Sequence, residues 1–288
     1  MTHGFLDSPA LPQFVYWIRE RERIRLLREM GAKPLWSTDQ IFNSVRFCNI
    51  RREDDKVTRW IKKNWRDPYA NHKNLSFGML MARVINLPEC LEALGFPEKW
   101  DPVKFERAMD DRAATGLRLW TGAYMVTGGY SKGGETKQKI IARVLDDGYK
   151  YCSTIRSHYT LERAHNEILC TNGIGTFLAA QAIADIKYTS LLAGAADWHT
   201  FCAPGPGALK GLNILHGRPA KSAHVDFSEE VNEIRLWLAA TQGIVLTAHD
   251  VQNCLCEFSK YMRVKEGGRA KTSFDPSRSF KLDGILRE

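Results

Sequence analysis

The sequence predicts an all-α protein of about ten helices over 288 residues. Two kinds of observation carry this. Helix start and stop residues bracket most segments, and the apolar residues between them fall at helical spacing. Residues 116–134 (GLRLWTGAYMVTGGYSKGG) break the pattern; their glycines and aromatics suit a short strand or an irregular loop. Length allows two units or one elaborated domain, and we read residues 1–288 as one.

The helices follow in order. Residues 12–30 open on Pro12 and stop before Gly31 and Pro34, with Trp17, Ile24, Leu27 and Met30 as a buried stripe. The alternating Arg and Glu residues between positions 19 and 29 read as a solvated face of ion pairs. Residues 38–47 form a second helix capped by Ser37 or Thr38, and residues 53–65 a third, acidic at its start and basic at its end. Residues 74–86 are an apolar core helix, and Pro88, Pro97 and Pro102 punctuate the stretch after it. Helices resume at 103–114, 135–148, 158–170, 175–187, 227–242 and 247–264, leaving a polar, basic and partly mobile tail at 265–288.

Composition narrows the function classes. Hydrophobic residues at 44% and charged residues at 26% are those of an ordinary folded chain. No apolar run reaches membrane-spanning length, and the N-terminus has no signal-peptide pattern. The net charge of +8 is concentrated at the ends: residues 1–66 carry +6 and residues 259–288 carry +4, around a middle of −2. Basic ends suit a polyanion, with nucleic acid the first candidate. The seven cysteines have no metal-site spacing, so buried reduced thiols in a cytoplasmic compartment are expected, with no metal and no cofactor. GGYSKGGETK lacks the G-x-x-x-x-G-K-[ST] order of a phosphate loop.

Residues 161–187 place two amphipathic helices around Gly173-Ile174-Gly175. Paired glycines permit a tight turn, Ile174 tucks inward, and the second helix opens with N–H groups available to a phosphate. This resembles the helix–hairpin–helix of the DNA glycosylase superfamily, which implies two helical lobes around a cleft. Some twenty residues on stands Asp197, where the glycosylases carry an aspartate facing the extracted base; Ala195-Ala196-Asp197-Trp198-His199 surrounds it. The competing structural readings are a helix cap for Asp197 and a hydrogen-bonded structural histidine for His199.

Three segments together resemble a narrower family. They are Arg46-Phe47-Cys48-Asn49-Ile50-Arg51-Arg52-Glu53-Asp54-Asp55-Lys56-Val57-Thr58-Arg59-Trp60, the hairpin with Asp197 and the Pro204–Leu212 stretch (PGPGALKGL), and Cys254-Leu255-Cys256-Glu257-Phe258-Ser259-Lys260-Tyr261-Met262-Arg263. The chain is similar over roughly residues 14–264 to the phage DNA base-hypermodification proteins once called α-glutamyl/putrescinyl-thymine pyrophosphorylases. That group includes amino acid:DNA transferases, and a similar helical domain accompanies 5-hydroxymethyluracil DNA kinases.

The resemblance implies a transferase that displaces pyrophosphate from 5-pyrophosphomethyl-deoxyuridine in phage DNA with the amine of an amino acid, glycine being a plausible donor. The expected partners are double-stranded DNA, the free amino acid and other modification enzymes, in the host cytoplasm and away from membranes. The alternatives are a DNA N-glycosylase and a non-catalytic DNA-binding partner of a kinase. Asp197, Glu257 and Lys260 are the catalytic candidates. Asp197 either holds the ammonium and takes its proton or stabilises a cationic methylene. Arg46, Asn49, Arg51, Arg52, Asp54, Arg59, His199 and Arg263 are candidates for the substrate and its pyrophosphate, arginine being suited to bidentate phosphate contact. Gly173, Ile174, Gly175, Thr176 and Lys210 are the DNA-contact candidates. Arg51 and Arg52 have a surface alternative, pairing with Glu53, Asp54 and Asp55, and Asp54 has a second one in capping the following helix. Trp60, Trp198 and Tyr261 are candidates to stack on a flipped base, or core residues.

Overall fold

A computed structural model describes residues 4–121, 134–223, 226–270 and 273–279. The described residues are helical, with no strand and one isolated bridge between Val45 and Ser273. The centre of the 116–134 segment, residues 122–133, lies outside them, as do tail residues 271–272 and 280–288. The chain divides into two compact units, residues 1–55 with 204–288, and residues 56–203.

The first unit holds α1 (Leu11–Glu29), α2 (Gln40–Ser44), α10 (Pro206–Leu215), α11 (Phe227–Gln242) and α12 (Ala248–Lys265). The second holds α3 (Lys56–Ile61), α4 (Leu75–Ile85), α5 (Pro88–Leu94), α6 (Pro102–Ala114), α7 (Lys137–Cys152), α8 (Leu161–Leu169) and α9 (Thr176–Ile186). Pro12 and Pro102 sit in first helical turns, and Asp101, Thr136, Thr160, Asp226 and Thr247 accept first-turn N–H bonds through their side chains.

Several expectations are corrected. Residues 53–65 are not one helix: a 3-10 turn over Arg52–Asp54 ends at an extended Asp55, α3 begins at Lys56, and Lys62–Arg66 widen into a π turn. The second helix is shorter than 38–47, because Val45 leaves helical geometry and pairs with Ser273. Two helices, α5 and α10, begin at prolines where local sequence suggests only a break. In α1, Trp17 and Ile24 are buried but Met30 is exposed, and Arg21, expected on a solvated face, is buried.

In the second unit, α4 is buried along its whole length and packs against α7 and α9. Gly148 makes the approach of α7 possible: a Cβ there would stand 2.7 Å from a Leu80 methyl. Ala179, Ala182 and Ile183 of α9 join the same core. One ion pair crosses it. Arg83 of α4 donates from Nε to Asp185 Oδ2 at 2.5 Å and from Nη2 to Oδ1 at 2.6 Å, and Nη2 also reaches Thr58 Oγ1 of α3 at 2.9 Å.

In the first unit α10 lies directly on α12. The Pro204–Leu212 stretch supplies the glycines that this requires. A Cβ on Gly207 would clash with Cys256 Sγ, and one on Gly211 would clash with the Leu255 carbonyl oxygen.

Asp185→Asn leaves Arg83 buried without a counter-charge and is expected to cost about 3–5 kcal/mol, measured by denaturant unfolding. Gly211→Ala forces helix backbones apart and is expected to cost at least about 1–3 kcal/mol in the same measurement.

Candidate functional site

The Arg46–Asp55 segment is held on α12 by main-chain bonds to charged side chains. Cys48 N–H donates to Glu257 Oε2 at 2.9 Å, and Arg52 N–H donates to Asp250 Oδ1 at 3.1 Å. Asn253 Nδ2 donates to the Asn49 carbonyl at 3.0 Å. The segment also folds on itself: Asn49 N–H donates to Asp55 Oδ1 at 2.9 Å, and Asn49 Nδ2 to the Asp54 carbonyl at 2.8 Å. Non-helical backbone left inside a protein must find such partners, and here side chains of α12 provide them.

Glu257 is 6% exposed. Lys260 Nζ donates to its two oxygens at 2.9 and 2.7 Å, and also to the Arg46 carbonyl at 3.1 Å. Glu257 and Lys260, three residues apart on α12, share one helix face with Tyr261. The pair orders the 46–48 backbone, with the ammonium 5.3 Å from the Phe47 ring centroid. Tyr261, the third residue of that face, is buried; its hydroxyl donates to Asp39 Oδ2 at 2.8 Å. That geometry makes Tyr261 a core residue, the structural one of its two readings.

The segment's arginines differ in environment. Arg46 is exposed. Arg51 Nη1 donates to Glu22 Oε1 at 3.0 Å, so its partner is on α1 rather than among Glu53, Asp54 and Asp55. Arg52 is buried. Asp54 Oδ2 lies 3.5 Å from Arg25 Nε of α1. Arg263 of α12 is half-buried, and Lys210 of α10 is exposed.

Beneath the segment lies a residue that sequence reasoning missed. Arg21 of α1 donates from Nε to the Cys48 carbonyl at 2.9 Å and from Nη2 to Asn49 Oδ1 at 2.5 Å. Its surroundings, Glu20, Glu22, Arg23 and Arg25, do make surface ion pairs, so only its register one turn after Trp17 signalled burial. Burial lowers its pKa from the ordinary guanidinium value, Arg28 adds to the drop, and Asp55 and Glu257 oppose it through space. Cys48 above it still exposes surface, yet dense surrounding protein raises its thiol pKa well above the usual value, and Glu257 and Asp55 raise it further.

The second unit holds the hairpin, Asp197, His199 and Arg59. Helices α8 and α9 are joined by a turn in which Gly173 takes φ +87° and Ile174 is buried, its N–H donating to the Thr171 carbonyl at 3.1 Å. Gly175 caps α9 without a side-chain bond, and Thr176 opens the helix. Asp197 accepts from Leu161 N–H at 2.7 Å and Glu162 N–H at 2.9 Å, the first two donors of α8. It thus ties its own loop to a helix start beside the Thr160 cap. Arg59 and His199 are exposed, and the His199 ring stands edge-on to Trp198 at 4.5 Å.

Trp198 is held by a buried lysine that the sequence did not flag. Lys187 Nζ donates to the Trp198 carbonyl at 2.9 Å and sits 3.9 Å from its ring centroid, while Trp198 Nε1 donates to the Lys187 carbonyl at 2.7 Å. Trp60 packs half-buried against the core.

Among the described residues no group of three or more His, Cys, Asp or Glu side chains is placed to hold a metal ion. No helix among them is long and apolar enough to cross a membrane.

Replacing Glu257 by Gln removes the charge that Lys260 and the Cys48 amide share. A loss of about 1.5–3 kcal/mol is expected, with faster hydrogen exchange at Cys48 than in the wild type.

No curated protein and no solved structure matches the chain. One family model does, that of the 5-hmdU DNA kinase, helical domain, over residues 8–269. This match takes in the Arg46–Asp55 segment, the hairpin with Asp197, and α12. The chain belongs to the family of the 5-hydroxymethyl-deoxyuridine DNA kinase helical domain, and so to the phage thymine-hypermodification proteins in the broad sense.

Proposed function

We propose that the protein is an amino acid:DNA transferase acting on 5-pyrophosphomethyl-deoxyuridine in duplex DNA. The observation that carries this is the Arg46–Arg52 segment, a cation-rich stretch fixed against α12 by Glu257, Asp250 and Asn253 rather than left as a free loop. Arginines on a held backbone suit a leaving group of high negative charge, because donors placed in advance cost no reorganisation when that charge develops.

The reaction breaks the methylene C–O bond and forms a C–N bond. Pyrophosphate leaves with the bonding electron pair. The attacking amine loses a proton, which passes to a carboxylate or to water. In this reading Arg46, Arg51, Arg52 and Arg263 contact phosphate oxygens, with Asn49 and Asp54 ordering them. Glu257 and Lys260 serve at the same segment, and Arg59 and His199 meet DNA or substrate. Gly173, Ile174, Gly175, Thr176 and Lys210 contact the DNA backbone, and the target nucleotide is extruded at a cost of a few kcal/mol. Asp197 is the candidate for holding the amine. Glycine is the smallest donor.

One observation favours a second reading. Both Asp197 oxygens accept backbone N–H bonds from α8, a structural use that needs no chemistry. Together with the kinase-domain family, this supports a non-catalytic DNA-binding partner of a kinase.

The test is incubation with duplex DNA bearing 5-pyrophosphomethyl-uracil and mixed amino acids, followed by nucleoside mass spectrometry. An amino-acid adduct is expected, reduced about 100-fold or more in Asp197→Asn with its melting temperature recorded alongside. Unchanged DNA with intact binding supports the partner reading, and free base or an abasic site supports a glycosylase.

A further inference from the structure

Arg21 carries a buried charge that no carboxylate contacts directly among the described residues. It is 5% exposed, and its two acceptors, the Cys48 carbonyl and Asn49 Oδ1, are both neutral. The carboxylates that act on it through space are engaged elsewhere: Glu257 with Lys260 and Cys48 N–H, Asp55 with Asn49 N–H. Arg21 Nη1 is buried and has no acceptor among the described residues.

A second donor of the same kind lies one turn away. Trp17 is fully buried, and its Nε1 also has no acceptor among the described residues. Spacing of i,i+4 puts both side chains on one face of α1. Both lie against the same short stretch, Trp17 with its ring edge-on to Phe47 at 5.9 Å and Arg21 on Cys48 and Asn49.

Buried charges are ordinarily paired, and buried donors ordinarily bonded, because leaving either unmet costs several kcal/mol. One N–H of a buried cation and one neutral N–H, both without an acceptor under one segment, call for an anionic oxygen. We propose that Trp17 Nε1 and Arg21 Nη1 form a seat for one oxyanion, a carboxylate or phosphate oxygen of a bound small molecule, beneath residues Phe47–Asn49. The seat stands without the transferase reading, because any ligand presenting such an oxygen satisfies it.

The test needs neither DNA nor turnover, so its failure and that of the transferase assay are separate results. The full chain is melted in inorganic pyrophosphate, in glycine, and in sodium chloride at matched ionic strength. Pyrophosphate or glycine is expected to raise the Tm by about 3–6 °C at a hundredfold excess over its Kd, beyond chloride, and the effective one identifies the source of the oxygen. R21Q is expected to abolish the rise. W17F, which keeps an aromatic ring and removes one donor, is expected to weaken binding about tenfold. No rise beyond chloride with either anion overturns the seat, as does an unchanged titration in R21Q. If R21Q does not melt cooperatively, an unchanged titration in W17F overturns it.

Discussion

The bidentate pair between Arg83 and Asp185 constrains the unit formed by residues 56–203 more than any single apolar contact. Arg83 is 2% exposed and Asp185 is 0% exposed, so neither charge can be met by water. The guanidinium has one geometry that satisfies Asp185 and Thr58 together, and that geometry fixes α4, α9 and α3 in register. Such a pair is not a strong net source of stability, since desolvation offsets most of its attraction. Its consequence is specificity: any other packing of these helices strands a charge. The hairpin turn leads directly into α9, the helix that carries Asp185, and the tie that holds Trp198 begins at Lys187, two residues beyond it.

In the other unit the same rule acts on backbone. The Arg46–Asp55 segment leaves helical geometry, so its amides and carbonyls need partners. Glu257, Asp250, Asn253 and Arg21 supply them. Close packing of α10 on α12, which Gly207 and Gly211 permit, backs the helix that presents three of those four groups. The result is a fixed cationic stretch built from residues that would otherwise repel one another.

Much of the fold was legible from the chain alone, and the failures have definite causes. Local chemistry announced α1, α4, α6, α9, α11 and α12, because caps, prolines and apolar spacing act within a few residues. It misread α5 and α10 because proline both ends helices and starts them, and only context distinguishes the two. The break at Asp55 was hidden because its cause is a bond to Asn49, not a property of the 53–65 stretch. The i,i+3 pairing of Glu257 with Lys260 was readable; its use in holding the Cys48 amide was not.

The sequence by itself determined the all-helical class, the two basic ends, the paired glycines between α8 and α9 and the three segments on which the family resemblance rests. These are properties of composition, spacing and short motifs. Tertiary structure decided which charges are buried. Arg21 and Arg25 lie one turn apart in the same Arg/Glu run, yet Arg25 pairs with Glu22 and Glu29 near the surface while Arg21 is sealed under Asn49. Burial depends on what the rest of the chain lays over a residue, and the alternation of Arg and Glu does not encode that.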